Sequence, residues 1–179
     1  MRTINEETDR LTTLVEHLLD MSRIQAGALQ PALRPVMLEE VVPAAVASLG
    51  PRAALVDAQM SEALPPVQAD AALLERALAN VIANAARFTP PGCPVRIEAG
   101  AFSGYLAISI TDRGPGIPRD QRERVFQPFQ RLGDSQPRTG VGLGLAVAKG
   151  FLTAMGATIE IDDTPGGGAT IVVRIPAAP

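Results

Sequence analysis

The sequence predicts an α+β fold: a two-layer α/β sandwich with a mixed, mostly antiparallel sheet, helices on one of its faces, and one long helix in front. Three observations carry that prediction. Apolar residues recur at helical spacing in four segments; four other segments alternate or are rich in β-formers; and the second kind are joined in pairs by short turns, AFSG and DDTPGGGA. Turns of that length join antiparallel hairpins, whereas parallel strands need a long crossover.

The elements follow in order. Ile4, Leu11, Leu14, Leu18 and Met21 take heptad a and d positions, and Val15 and Leu19 widen the stripe. This predicts a helix that packs in a bundle or coiled coil and cannot bury its stripe alone. Gly27, Pro31 and Pro35, in GALQPALRP, end that pattern, so the chain divides into units 1–30 and 31–179. Beyond the break, helices are predicted at 38–49, 71–88 and 143–155, and strands at 95–99, 105–111, 158–161 and 171–175.

Composition narrows the function. The 179 residues, 46% of them hydrophobic, suit one ordinary domain plus an appendage. Net charge is −3, and the basic residues, all arginine except Lys149, are scattered, so nucleic acid is not an expected partner. The longest apolar-rich stretch, ALLERALANVIANAARF, is broken by charges, and MRTINEETDR lacks the apolar run of a signal peptide. No membrane span is expected. The single cysteine, Cys93, fits a reducing cytoplasm and a plain structural thiol. With one cysteine and one histidine, a Cys/His metal cluster is excluded.

Three clusters ask for a polar task. ALANVIANAARFTP places Asn80 and Asn84 on one helical face, with Arg87 and Phe88 a turn further on. Asparagine is a mediocre helix former, so two aligned in an otherwise apolar helix point to chemistry rather than a solvated stripe. In ITDRGPGIP a strand ends at Asp112, and Gly114 and Gly116 permit close backbone approach. In RTGVGLGLAVAKG, Gly140, Gly142 and Gly144 run into a helix start, whose free N–H groups and positive dipole end suit an anion. The spacing matches neither G-x-x-x-x-G-K-[ST] nor G-x-G-x-x-G.

Taken together, NVIANAARF, DRGPGI, VFQPFQR and GVGLGL resemble the N, G1, F and G2 boxes of the sensor histidine kinases, in the ATP-binding GHKL fold shared with DNA gyrase and Hsp90. The resemblance runs from about residue 38 to the C-terminus. RLTTLVEHLLDMSRIQAGAL resembles the second helix of the kinase dimerisation hairpin, and LLDMSR and TGVGLGLA are most similar to the potassium-responsive KdpD-type bacterial sensors.

The resemblance implies a site for ATP and Mg²⁺. Asp112 would accept a hydrogen bond from the adenine amino group. Asn84 would place its side-chain oxygen on Mg²⁺, a hard cation that takes few protein ligands, with Asn80 in support from the preceding turn. Arg87 would pair with phosphate oxygens and Phe88 pack against the nucleotide, where the family often has lysine and tyrosine. Gly114, Gly116 and Ile117 would line the pocket; Thr139, Gly140, Gly142, Leu143 and Gly144 would cradle the phosphates. QRLGDSQPRT would be a mobile lid whose Arg131 and Arg138 steady the transferring phosphate, anchored to the core by Phe126 and Phe129. GGGAT, with Thr170, reads equally as a turn beside the pocket or a simple hairpin turn.

In the ATP-hydrolysing members of the fold, a glutamate one turn before the Mg²⁺ asparagine activates water. Here that position holds Asn80, and Glu75 falls on the opposite helical face. A kinase is therefore favoured over an ATPase. His17, the only histidine, is not expected to be the phosphoacceptor: Leu18 follows it where the family has an acid, and Ser22 stands where the family has proline. Its heptad position is g, beside the seam, where a histidine needs no chemistry. The expectation is a cytoplasmic, C-terminal portion of a longer, membrane-anchored kinase. It would homodimerise through the hairpin, phosphorylate a histidine on a first hairpin helix and pass the phosphoryl group to a response regulator receiver domain. A nucleotide-binding regulatory module and an anti-sigma-type serine kinase are the alternatives.

Overall fold

The computed structural model describes residues 2–60, 64–130 and 141–179. In chain order the elements are α1 (Arg2–Gln25), β1 (Arg34–Val36), α2 (Leu38–Ala47), β2 (Val56–Met60), β3 (Val67–Ala69), α3 (Ala71–Phe88), β4 (Val95–Phe102), β5 (Tyr105–Thr111), α4 (Gly144–Ala154), β6 (Thr158–Asp163) and β7 (Ala169–Pro176). Five strands form the main sheet in the order β2-β4-β5-β7-β6, and β1 and β3 make a separate antiparallel pair. The two hairpins expected from short turns, β4–β5 and β6–β7, are antiparallel. β2 joins β4 in parallel, so the sheet is mixed.

Register explains why one face is dry. Ile97 pairs with Ile110, Ile110 with Ile171, and Ile171 with Ile161, so one row of isoleucine crosses four strands on one face. Directly paired residues share a face, and all four are buried. Against this face lie Leu74, Leu78, Val81 and Ile82 of α3, Val147, Phe151 and Leu152 of α4, and Leu38, Val41 and Val42 of α2. Helix α3 starts where Asp70 accepts hydrogen bonds from the N–H groups of Ala72 and Leu73, at 3.1 and 3.2 Å, and ends before Pro90.

Helix α1 packs against α4 through its C-terminal half. The side chain of Ile24 fills the space over Gly150, where a Cβ would come within 2.5 Å of Ile24 Cδ1. Met21 also packs on the core. The predicted heptad stripe therefore splits. Met21 turns toward the domain, Leu14 is half-buried, and Leu11, Val15, Leu18 and Leu19 remain exposed; the side chain of Ile4 lies outside the described ones. The domain-facing stripe includes two polar residues instead, His17 and Asp20. Asp20 is only 4% exposed, and its carboxylate accepts from both Nη1 and Nη2 of Arg76, whose guanidinium also sits 5.2 Å from the centre of the Phe151 ring.

Removing one partner of this pair has an asymmetric cost. Arg76→Ala leaves the Asp20 carboxylate buried and unpaired, and is expected to destabilise the chain by about 2 kcal/mol. Asp20→Ala leaves a guanidinium that water can reach and costs less. Thermal melts of both variants check this; the expected order fails if Asp20→Ala lowers the midpoint more.

Candidate functional site

Helix α3 presents Asn80 and Asn84 four residues apart, both half-buried. The Asn84 side chain makes no hydrogen bond to the described residues, so its amide oxygen is uncommitted. At the end of the helix the Arg87 guanidinium lies 5.1 Å from the centre of the Phe88 ring. Thr89 Oγ1 accepts from the N–H of Arg113, which ties the end of α3 to the loop after β5.

Asp112 opens that loop and is 5% exposed. Its Oδ1 accepts two backbone hydrogen bonds, from Gly114 N at 2.8 Å and from Ala169 N at 3.1 Å. Its Oδ2 accepts none from the described residues. The carboxylate is thus fixed by one oxygen and open at the other, an arrangement that suits an incoming N–H donor.

Glycine is required here by space as well as by backbone angle. A Cβ on Gly114 would lie 2.7 Å from the Phe88 carbonyl oxygen, so the loop presses directly on the end of α3. At Gly168, φ is +104° and a Cβ would overlap the Asp112 carbonyl group, while a Cβ on Gly116 would lie 2.9 Å from the Gly168 carbonyl oxygen. The hairpin-turn reading of GGGAT holds. It is the β6–β7 turn, and its backbone supports Asp112. Thr170 is placed elsewhere: it alternates with Ala169 and Ile171 and so projects from the other face of the sheet. There its hydroxyl meets Thr111 at 3.2 Å and Thr164 at 2.9 Å. The contact with Asp112 comes from Ala169, through a backbone N–H that no side-chain signal could have announced.

The glycines before α4 divide in the same way. Gly142 has φ +77° and a Cβ there would meet the Gln130 carbonyl oxygen at 2.5 Å; its own carbonyl accepts from Phe129 N at 3.0 Å. Residues 129 and 142 are thus joined backbone to backbone. Leu143 is buried and caps α4, and Gly144 lies over the Asn80 side chain, 3.9 Å from where a Cβ would sit. Arg131, Arg138, Thr139 and Gly140 lie outside the described residues. Ile117 packs on the core, and Phe126 is buried beneath the Lys149 ammonium, 5.0 Å from its ring. Phe129 departs from expectation: it is 61% exposed, with φ +63°, and anchors through its backbone instead of its ring. Nearby, Arg119 foremost and then Arg122 hydrogen-bond to Asp163 and hold its carboxyl below the usual aspartate range.

The described contacts thus connect one carboxylate fixed by backbone N–H groups, a helix bearing two amides, and glycine-built backbone that presses on the end of that helix and on the carboxylate's own residue. A family model described as histidine kinase-, DNA gyrase B- and HSP90-like ATPase matches residues 69–179.

The chain belongs to this ATPase family.

Within the family, it is most informatively compared with sensor kinases. Sensor protein KdpD of Mycobacterium tuberculosis (strain ATCC 25618 / H37Rv) is 47% identical over 185 residues, covering 99% of this chain and 21% of the relative. Sensor protein KdpD of Rathayibacter rathayi is 48% identical over 168 residues, covering 94% and 20%. The structure of full-length ShkA in complex with AMPPNP superposes with a TM-score of 0.80 at 32% identity, covering 97% of this chain and 37% of that one. The mycobacterial sensor histidine kinase MprB superposes with a TM-score of 0.71 at 31% identity, covering 83% and 99%. The chain spans about a fifth of the length of the KdpD relatives. It carries the ATP-binding catalytic domain of a sensor histidine kinase.

Two further properties of this domain bear on its chemistry. Among the described residues, no helix is long and apolar enough to cross a membrane. Nor could any cluster of three His, Cys, Asp or Glu side chains there hold a metal ion. A divalent cation at this site would have to take most of its oxygens from nucleotide and water, with the uncommitted Asn84 amide oxygen as a protein ligand, which is the coordination Mg²⁺ favours.

Proposed function

We propose that this chain binds Mg-ATP and, within a longer protein, donates the γ-phosphoryl group to a histidine outside this chain, from which a receiver-domain aspartate takes it. The observation that carries the reading is Asp112, a buried carboxylate pinned through Oδ1 with Oδ2 open. Such a group accepts from the amino group of adenine and would face the carbonyl oxygen of guanine with mutual repulsion. Asn84 would supply an oxygen to Mg²⁺, whose charge offsets that of the phosphates. Arg87 would reach phosphate oxygens, and Phe88 would lie along the nucleotide. Gly142, Leu143 and Gly144 would present the first N–H groups of α4 to the phosphates. Arg131, Arg138, Thr139 and Gly140 would complete the phosphate end. Thr170 is left out of this set, because its hydroxyl is spent on Thr111 and Thr164.

The absence of a water-activating glutamate before Asn84 supports transfer over hydrolysis. Asn80 is an amide and cannot accept a proton from water. Residues 1–30 would form the second helix of a dimerisation hairpin, whose exposed Leu11, Val15, Leu18 and Leu19 would be covered by helices of the same hairpin and its twin.

The test is a calorimetric titration of the chain with ATP and with GTP, with and without Mg²⁺. Saturable binding of ATP only, strengthened by Mg²⁺, is expected, with phosphate release near background. In Asn84→Ala the gain from Mg²⁺ should shrink about tenfold while metal-free binding persists. Rapid hydrolysis, or equal binding of GTP, would overturn the reading.

A further inference from the structure

The only histidine in the chain touches the nucleotide site. His17 Nε2 lies 3.1 Å from Asn80 Oδ1, across 63 residues of sequence. With Oδ1 facing the ring, the contact is a hydrogen bond in the tautomer that carries its proton on Nε2, because an amide oxygen only accepts. The contact is part-buried and sits on the stripe of α1 that also holds Asp20 and Ile24 against the domain. Its acceptor stands one helical turn before Asn84, and its Cγ and Oδ1 come within 3.9 Å of the point where a Cβ on Gly144 would be. A single amide therefore adjoins three things: the long helix, the asparagine proposed for Mg²⁺, and the start of α4.

The orientation of that amide matters chemically. An asparagine side chain can turn over, exchanging its acceptor and donor ends at little cost when nothing selects between them. His17 selects when Nε2 carries the proton: the imidazole then holds Oδ1, the end that also lies against the start of α4, and leaves the NH₂ end unclaimed. That end makes no hydrogen bond to the described residues. Turning the amide over would exchange an acceptor for a donor on the side that faces Gly144.

We infer that His17 is a positioning residue of the nucleotide site, fixing the orientation of the Asn80 amide beside Asn84 and the start of α4 and so linking the docking of α1 to Mg-ATP affinity. This rests on the proposed Mg-ATP binding and adds to it a residue that the sequence assigned to the bundle seam. His17 itself touches no reacting atom.

A double-mutant cycle on this chain separates the inference from simple docking. In the native background, His17→Ala is expected to weaken Mg-ATP binding about fivefold, the size of one fixed polar group. In the Asn80→Ala background the same substitution should change nothing, because the group through which it acts is gone. His17→Gln, whose amide can donate to the same oxygen, should restore most of the affinity. Melting curves show that each variant is folded. If His17→Ala weakens binding equally in both backgrounds, or leaves the native background unchanged, the inference is wrong while nucleotide binding stands. If the unmodified chain fails to bind Mg-ATP, the proposed function fails and this inference falls with it.

Discussion

Asp112→Asn is expected to weaken ATP binding about fiftyfold while leaving the melting temperature close to that of the unmodified chain. The two effects separate because the two carboxylate oxygens have separate tasks. Oδ1 accepts from Gly114 and Ala169, and the asparagine oxygen can take over both bonds. Oδ2 accepts from neither, and in the variant an NH₂ group replaces it and would meet the adenine amino group donor to donor. Loss of a charge-assisted hydrogen bond and its replacement by repulsion account for about 2–3 kcal/mol. Calorimetry and a thermal melt on the same samples check both halves. A large fall in melting temperature would mean that the charge, not the geometry, holds the loop. Undiminished ATP binding would remove Asp112 from the adenine contact.

Gly168→Ala is expected to be the more damaging change to the fold, at about 3–4 kcal/mol, or a midpoint lowered by about 10 °C in a chain of this size. Two penalties add. At φ +104° an alanine is strained wherever it stands, and here its Cβ also overlaps the Asp112 carbonyl and lies 3.0 Å from Arg113 Cα. Both neighbours are backbone, so neither can swing aside. Gly167→Ala supplies the control: φ is +97°, but nothing lies within 4 Å of its Cβ, so only the strain of about 1 kcal/mol remains. Chemical denaturation of the pair measures the difference. Equal losses would show that the close approach of the β6–β7 turn to Asp112 contributes nothing.

The sequence was most legible where the signal was local and long. Helix α3 and strand β5 have the bounds read from periodicity, since each repeats its pattern over at least seven residues. Strands β1, β2 and β3 were missed. RPV and VQA are three residues each, the first with a proline, and VDAQM is a strand because it pairs in parallel with β4, a partner some forty residues away. Long-range pairing of that kind leaves no local periodicity to read. The site divides similarly. Asn80, Asn84, Asp112 and the glycines were visible as residue types out of place in their surroundings. Ala169 was not, because its contribution is a backbone N–H that any residue but proline would bring. His17 was seen and set aside, since heptad position describes one partner of a helix and α1 has a second.

That second partner has a mechanical consequence. At 1.5 Å per residue, the 24 residues of α1 make a rod of about 36 Å. The contacts described for it with the domain, at His17, Asp20, Met21 and Ile24, all fall in its last nine residues. A sideways force near the start of such a rod would act with leverage on these contacts. Of the four described, the one furthest from Gln25, His17 on Asn80, would feel it first. A twist of the rod would then reach that amide before the Asp20–Arg76 pair, and would be felt there as the gain or loss of one hydrogen bond.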